Sequence, residues 1–127
     1  MKLIHDCIRD VMLDIEDNLE LNDSITLEEI QSRNPKYSNN DIYYTFKKLQ
    51  EAGYLDVSFY ISGSAAVENM TYSGHLFLDN IRDNKVWTTT KSILSKFTST
   101  SINIVETVAS QVITNLITTS IASASIK

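Results

Sequence analysis

Residues 37–55 read YSNNDIYYTFKKLQEAGYL, the pattern of a capped helix running into a strand. Ser38 precedes Asp41 by three positions, the spacing of a capping box. The serine hydroxyl accepts from the third helical N–H, and the acid reaches back to the cap. Tyr37 before the cap and Ile42 after it can close a hydrophobic staple. Ile42, Phe46 and Leu49 recur at steps of four and three, which places them on one inward stripe. Gly53 ends the helix, because glycine tolerates the left-handed backbone of a helix C-terminus.

Working outward, the same device appears upstream. Thr26 and Glu29 have the T-x-x-E spacing, with Ile25 and Ile30 as the staple. A short helix from Leu27 to Arg33 is expected. NPKY (34–37) breaks it, since Pro35 lacks an N–H and pushes Asn34 out of helical geometry. Two short capped helices across a four-residue break make a helix-turn-helix. Before them, Ile4, Ile8, Val11, Ile15 and Leu19 form one helical stripe over residues 3–19, leaving Asp6, Asp10, Asp14 and Asp17 toward water.

Downstream of Gly53 the period changes to two. Leu55, Val57, Phe59 and Ile61 alternate with polar or amphipathic residues, which reads as a half-buried strand. SGS (62–64) is a turn, AAVENM (65–70) a return strand, and Thr71 caps a helix burying Phe77, Leu78 and Ile81. Helix, extended segment, helix, helix, hairpin, helix is the order of a winged helix. The expected fold is therefore mainly α with a small β-hairpin, a winged helix-turn-helix domain over 1–83. A C-terminal helical extension over 84–127 follows it.

The extension has its own composition. KVWTTTKSILSKF (85–97) reads as a basic helix anchored by Trp87, Ile93, Leu94 and Phe97. From Thr98 to Ile126 the only charge is Glu106, Ser and Thr are nearly as frequent as apolar residues, and neither Gly nor Pro occurs. Ile102, Val105, Ala109, Val112 and Leu116 follow three-four steps, flanked by Val108 and Ile113, as in a short coiled-coil seam. The many β-branched residues lower intrinsic helicity, so this helix needs a packing partner. The foremost expected partner is a second copy of the chain, then the chain's own body, then a membrane surface. The last suits poorly, because interfacial helices carry a basic face and this polar face is neutral.

Charge and composition exclude more than they assign. The chain has 127 residues, 43% hydrophobic and 21% charged, values of an ordinary globular domain. Net charge is −5, but residues 1–83 carry 7 basic and 15 acidic side chains, a balance of −8, whereas 84–127 carry 4 Lys and one acid. Cys7 is the single cysteine, so no internal disulfide can form, which fits a reducing cytoplasm. The N-terminus lacks the apolar run of a signal peptide, and no stretch has the roughly 20 apolar residues of a membrane span. His5 and Cys7 stand two apart on a helix and do not face one direction, and with only His75 besides they make no metal set. SGSA (62–65) lacks the context of a nucleophile elbow, and three scattered glycines make no phosphate loop. No enzyme activity and no cofactor are expected.

The segments KLIHDCIRDVML (2–13), EAGYLDV (51–57) and GHLFLDNIRDNKVW (74–87) together resemble an uncharacterised family of bacterial and prophage genomes. That family is catalogued as a domain of unknown function and is similar to small winged-helix proteins. The resemblance implies a winged-helix fold and a phage or prophage setting. It transfers no catalytic residue.

Function is thus expected in binding. The foremost expectation is a small, self-associating, non-enzymatic protein that engages a protein partner, with inhibition of a host process as a natural role. The alternative is a DNA-binding regulator. On the second short helix Asn40, Tyr44, Lys47 and Lys48 face outward, and Arg33 and Lys36 could anchor the turn on phosphates. Against DNA stand Asp41, Glu51 and a wing (57–68) without Lys or Arg.

Overall fold

The computed structural model describes residues 2–98 and 101–126, with side chains to residue 122. Met1, Ser99, Thr100 and Lys127, which the two sequence segments include, lie outside it. Nine elements follow in order: α1 (His5–Asn18), β1 (Ile25–Thr26), α2 (Leu27–Arg33), α3 (Asn39–Glu51), β2 (Leu55–Phe59), β3 (Ala65–Met70), α4 (Tyr72–Ile81), α5 (Asn84–Leu94) and α6 (Ile102–Ile126). The strands form one antiparallel sheet in the order β1-β3-β2. The result is a mainly helical fold with a small sheet, arranged like a winged helix and extended by α5 and α6.

Local chemistry explains the boundaries. Ser38 accepts from the Asp41 N–H at 3.1 Å while Asp41 accepts from the Ser38 N–H at 3.0 Å, so the expected capping box forms. At Thr26 only half of it does. The threonine accepts from the Glu29 N–H, but its hydroxyl donates to the Glu29 carboxylate, and Thr26 itself belongs to β1, opposite Ala66. Gly53 takes φ +83, as the helix stop requires. The hairpin is shorter than its alternation: β2 ends at Phe59, the turn occupies 60–63 with Gly63 at φ +89, and Ile61 is fully exposed instead of inward. A register shift at Asp56/Val57 bends the strand.

Two of the resembling segments meet in space. The Tyr54 carbonyl accepts from the Thr71 N–H at 3.1 Å, and the Gly53 carbonyl accepts from the Thr71 hydroxyl at 2.6 Å. Thr71 also caps α4 by accepting from the Gly74 N–H at 3.0 Å. The Tyr54 ring stacks on Phe77 at 4.7 Å. Gly74 is buried against this turn, and a Cβ there would lie 2.2 Å from the Tyr54 oxygen.

The extension shares the body's core. Cys7, Ile8, Val11, Met12 and Ile15 of α1 belong to the same buried cluster as Trp87, Leu94, Ile102, Val105 and Ala109. Position 83 therefore divides elements, not cores. Arg9 ties α1 to the α4–α5 corner: it donates to the Ile81 carbonyl at 2.8 Å, the Arg82 carbonyl at 2.5 Å and Asn84 Oδ1 at 2.7 Å. Asp83 caps α5 by accepting from the Val86 N–H at 2.9 Å. Phe97, expected as an anchor of that helix, lies past its end and is exposed.

The seam expected to meet a second copy is largely covered at home. Ile102, Val105, Ala109 and Val112 are buried by the chain's own α4 and α5. Val108 and Ile113 are half-buried and Leu116 is at the edge of exposure. The spacing that marks an apolar stripe holds, and the body supplies the partner that such a β-branched helix requires.

Candidate functional site

The outward face of α3 and the adjoining wing form the candidate interaction face. With Ile42, Thr45, Phe46 and Leu49 buried, α3 presents Asn40, Tyr44, Lys47 and Lys48 on one side. Lys48 donates to Glu51 at 2.9 Å and lies 5.4 Å from the Tyr44 ring centroid. Lys47 stands 5.7 Å over Phe59, which meets Tyr43 edge-on at 5.0 Å. Beyond Phe59 the wing exposes Tyr60 and Ile61. Beside the tip, Ser64 ties the wing to α2 by donating to Glu28.

Arg33 and Lys36, expected at the same face, turn instead to α1. Arg33 binds Asp14 through Nε at 2.9 Å and Nη2 at 2.7 Å, and the Asp14 side chain is only 7% exposed. Asn34 donates to the same carboxylate at 3.0 Å. Lys36 pairs with Asp10 at 3.2 Å, and the Tyr37 hydroxyl donates to Asp10 at 2.6 Å. Burial, and then this bond, push the Tyr37 phenol far above its ordinary range.

The carboxylates of α1 are therefore clamps rather than a solvated face, Asp17 excepted. Asp6 accepts from the Trp87 indole at 2.9 Å and pairs with Lys91 at 2.9 Å. Burial pushes the Asp6 carboxyl up, but the Trp87 and Lys91 bonds outweigh it and hold the group below its ordinary value. The Arg82 hydrogen bond likewise holds Glu16 low against the smaller effect of burial. Periodicity showed these acids off the apolar stripe without showing that α2 and α5 lie over them. Tyr43, Tyr60 and Ile61 were also absent from the expected contact set. The hairpin turn, by ending β2 early, is what brings Ile61 to the surface.

A polar cleft of about 680 Å³ opens beside the wing, lined by Asn22, Asp23, Ser24, Tyr60 and Glu68 among others. Its two carboxylates make it unsuited to phosphate. Cys7 is buried, with its thiol pushed up to about 11 by burial. Among the described residues no group of three His, Cys, Asp or Glu is placed to hold a metal ion. No helix of the described residues is long and apolar enough to cross a membrane.

Fold and face together define a small winged-helix-like protein whose helix-turn-helix cations are largely neutralised from within. The chain belongs to the family described as "Hypothetical protein (DUF2513)", whose model matches residues 2–101. It is also 30% identical over 121 residues to an uncharacterized protein of Haemophilus influenzae strain Rd, a match covering 92% of this chain and 99% of that one. No solved structure matches it.

Proposed function

We propose that this chain is a non-enzymatic binding protein of the cytoplasm that grips a protein partner with α3 and the wing. One observation carries the reading. Of the four cations on α2, α3 and their turn, Arg33, Lys36 and Lys48 are bonded to carboxylates, while the wing tip offers Tyr60 and Ile61. Affinity for nucleic acid comes chiefly from cations that neutralise phosphates. Cations already matched by Asp14, Asp10 and Glu51 supply little of it. Aromatic and aliphatic side chains raised on a rigid hairpin are instead the anchors of protein interfaces. The fitting partner has an apolar pocket for Ile61 and a basic rim that faces the acidic body. The resemblance to prophage-borne proteins makes restraint of a host protein the natural role.

The test pairs two measurements. Fluorescence anisotropy with a random-sequence duplex at about 50 mM salt should show no binding at about 10 μM protein, within the usual range of non-specific DNA affinity. A photo-reactive residue at position 61, introduced in the native host, should cross-link to one discrete protein, and Tyr44→Ala should abolish the adduct. Duplex binding that disappears on replacing Lys47 and Lys48 by Glu would overturn the reading in favour of DNA.

A further inference from the structure

Helix α6 has two unlike halves. From Ile102 to Val112 its inward positions are buried. Here α4 runs beside it: Asn80 donates to Ser110 at 3.2 Å, and Tyr54, Leu76, Phe77 and Glu106 line the shallow cleft between them. But α4 ends at Ile81, close to the level of Ser110. Past that level the same side of α6 is uncovered. Ile113 is half-buried, Ile117 is 54% exposed and Ile121 is 63% exposed. Steps of four make these three isoleucines one ridge, the kind that packs into the grooves of a second helix.

The flanks of the ridge narrow the occupant. No ionisable side chain occurs from Thr107 to Ile126. The hydroxyls of Thr114 and Thr118, which flank the ridge, each donate to their own helix, four residues back, at 2.9 Å. Dehydrating this surface therefore leaves those donors bonded. A charged partner would have to bury its charges against neutral flanks, which is unfavourable. A lipid surface favours a basic face that this helix lacks. An identical ridge meets every requirement: it is apolar and flanked by neutral side chains.

We propose that the free half of α6 docks against the same half of a second copy, the two helices crossing antiparallel about Ile117. Charge selects the antiparallel sense. Residues 1–106 carry 10 basic and 16 acidic side chains, a balance of −6, and a parallel pair would bring two such bodies together. In the antiparallel pair the two Ser110 positions, level with the end of α4, lie roughly 21 Å apart along the axis, from seven residues on each side at about 1.5 Å per residue. That is more than twice the Debye length of about 8 Å at physiological salt. Two helices touching over one such ridge bury less than about 1,200 Å², the size class of weak and transient contacts, so the dimer is concentration-dependent. This surface is separate from α3 and the wing, and either proposal can fail without the other.

Sedimentation velocity on the full chain over a concentration series from low to several hundred micromolar tests it. The wild type should pass from monomer to dimer, and Ile117→Asp should raise the dissociation constant at least about 100-fold. Its thermal unfolding should be unchanged, because Ile117 is exposed in the monomer. Ile117→Cys should form a symmetric disulfide above the dissociation constant. A wild type that stays monomeric throughout overturns the proposal, as does a dimer untouched by Ile117→Asp. A dimer lost instead with Ile61→Asp places the contact on the wing and overturns it too. Flotation of a still monomeric protein with phosphatidylcholine vesicles would assign the ridge to lipid and equally refute it.

Discussion

Gly74→Ala separates helix propensity from packing, because the two predict opposite signs. In a helix, alanine is favoured over glycine by about 1 kcal/mol. At this position, however, the new methyl would lie 2.2 Å from the Tyr54 carbonyl oxygen and 3.0 Å from Met70 Cγ. Ordinary carbon–oxygen contacts lie near ~3.3 Å or beyond, so α4 must retreat by roughly 1 Å. The oxygen cannot yield easily, since it accepts from Thr71 and its residue is stacked on Phe77. Overpacking costs about 1–3 kcal/mol, and because the contacted atom is backbone the cost here falls at the top of that range, about 3 kcal/mol. Set against the propensity gain, a net loss of about 2 kcal/mol is expected. For a chain of this size that lowers the melting temperature by roughly 6–10 °C. Thermal melts and urea titrations followed by circular dichroism measure it. A variant melting at or above the wild type would refute the close approach of α4 to the Gly53–Tyr54 turn.

Three further outcomes follow. Arg33→Ala strips a nearly buried Asp14 of its main partner and should cost about 1–3 kcal/mol in urea unfolding, the lower end reflecting the partly exposed arginine; a neutral result would show the pair to be idle. Val105→Ala should cost about 1–2 kcal/mol, whereas Ile117→Ala should stay within about 0.5 kcal/mol at low protein concentration, and equal effects would contradict the burial pattern of α6. Glu16 and Asp6 have folded values held below the unfolded ones, so their stabilisation is present above about pH 5 and is lost as pH falls through the carboxylate range. Melting temperature should therefore drop between about pH 5 and 3, with a shallower drop for Glu16→Gln; a rise on acidification would invert the assignment.

How much the sequence revealed depends on the range of the interaction. The Ser38–Asp41 box, the Thr71 cap and the Gly53 stop were legible because each is a contact within a few residues, as was the order of elements that makes the winged-helix-like body. The short alternating run to Ile61 outlasted its strand, because the turn around Gly63, not hydrophobicity, sets where pairing stops. The face of α1 that bears Asp6, Asp10 and Asp14 departs from the expected solvated face for another reason. Periodicity tells which residues leave the apolar stripe and is blind to what packs over them, and Arg33, Tyr37 and Trp87 arrive from elsewhere in the chain. The same blindness hid the partner of the α6 stripe. A three-four repeat demands burial and does not say whether the cover comes from the same molecule.

The ties of Arg9 and Asp6 to the α4–α5 region have a consequence for biosynthesis. They join residues 72 to 85 positions apart. At roughly 5–20 residues per second, the ribosome needs on the order of 4–17 s after making α1 before its last partners exist. Part of the apolar surface of α1 stays open for that interval. The nascent chain, rather than the finished protein, is therefore where chaperones and proteases find their best hold on this molecule.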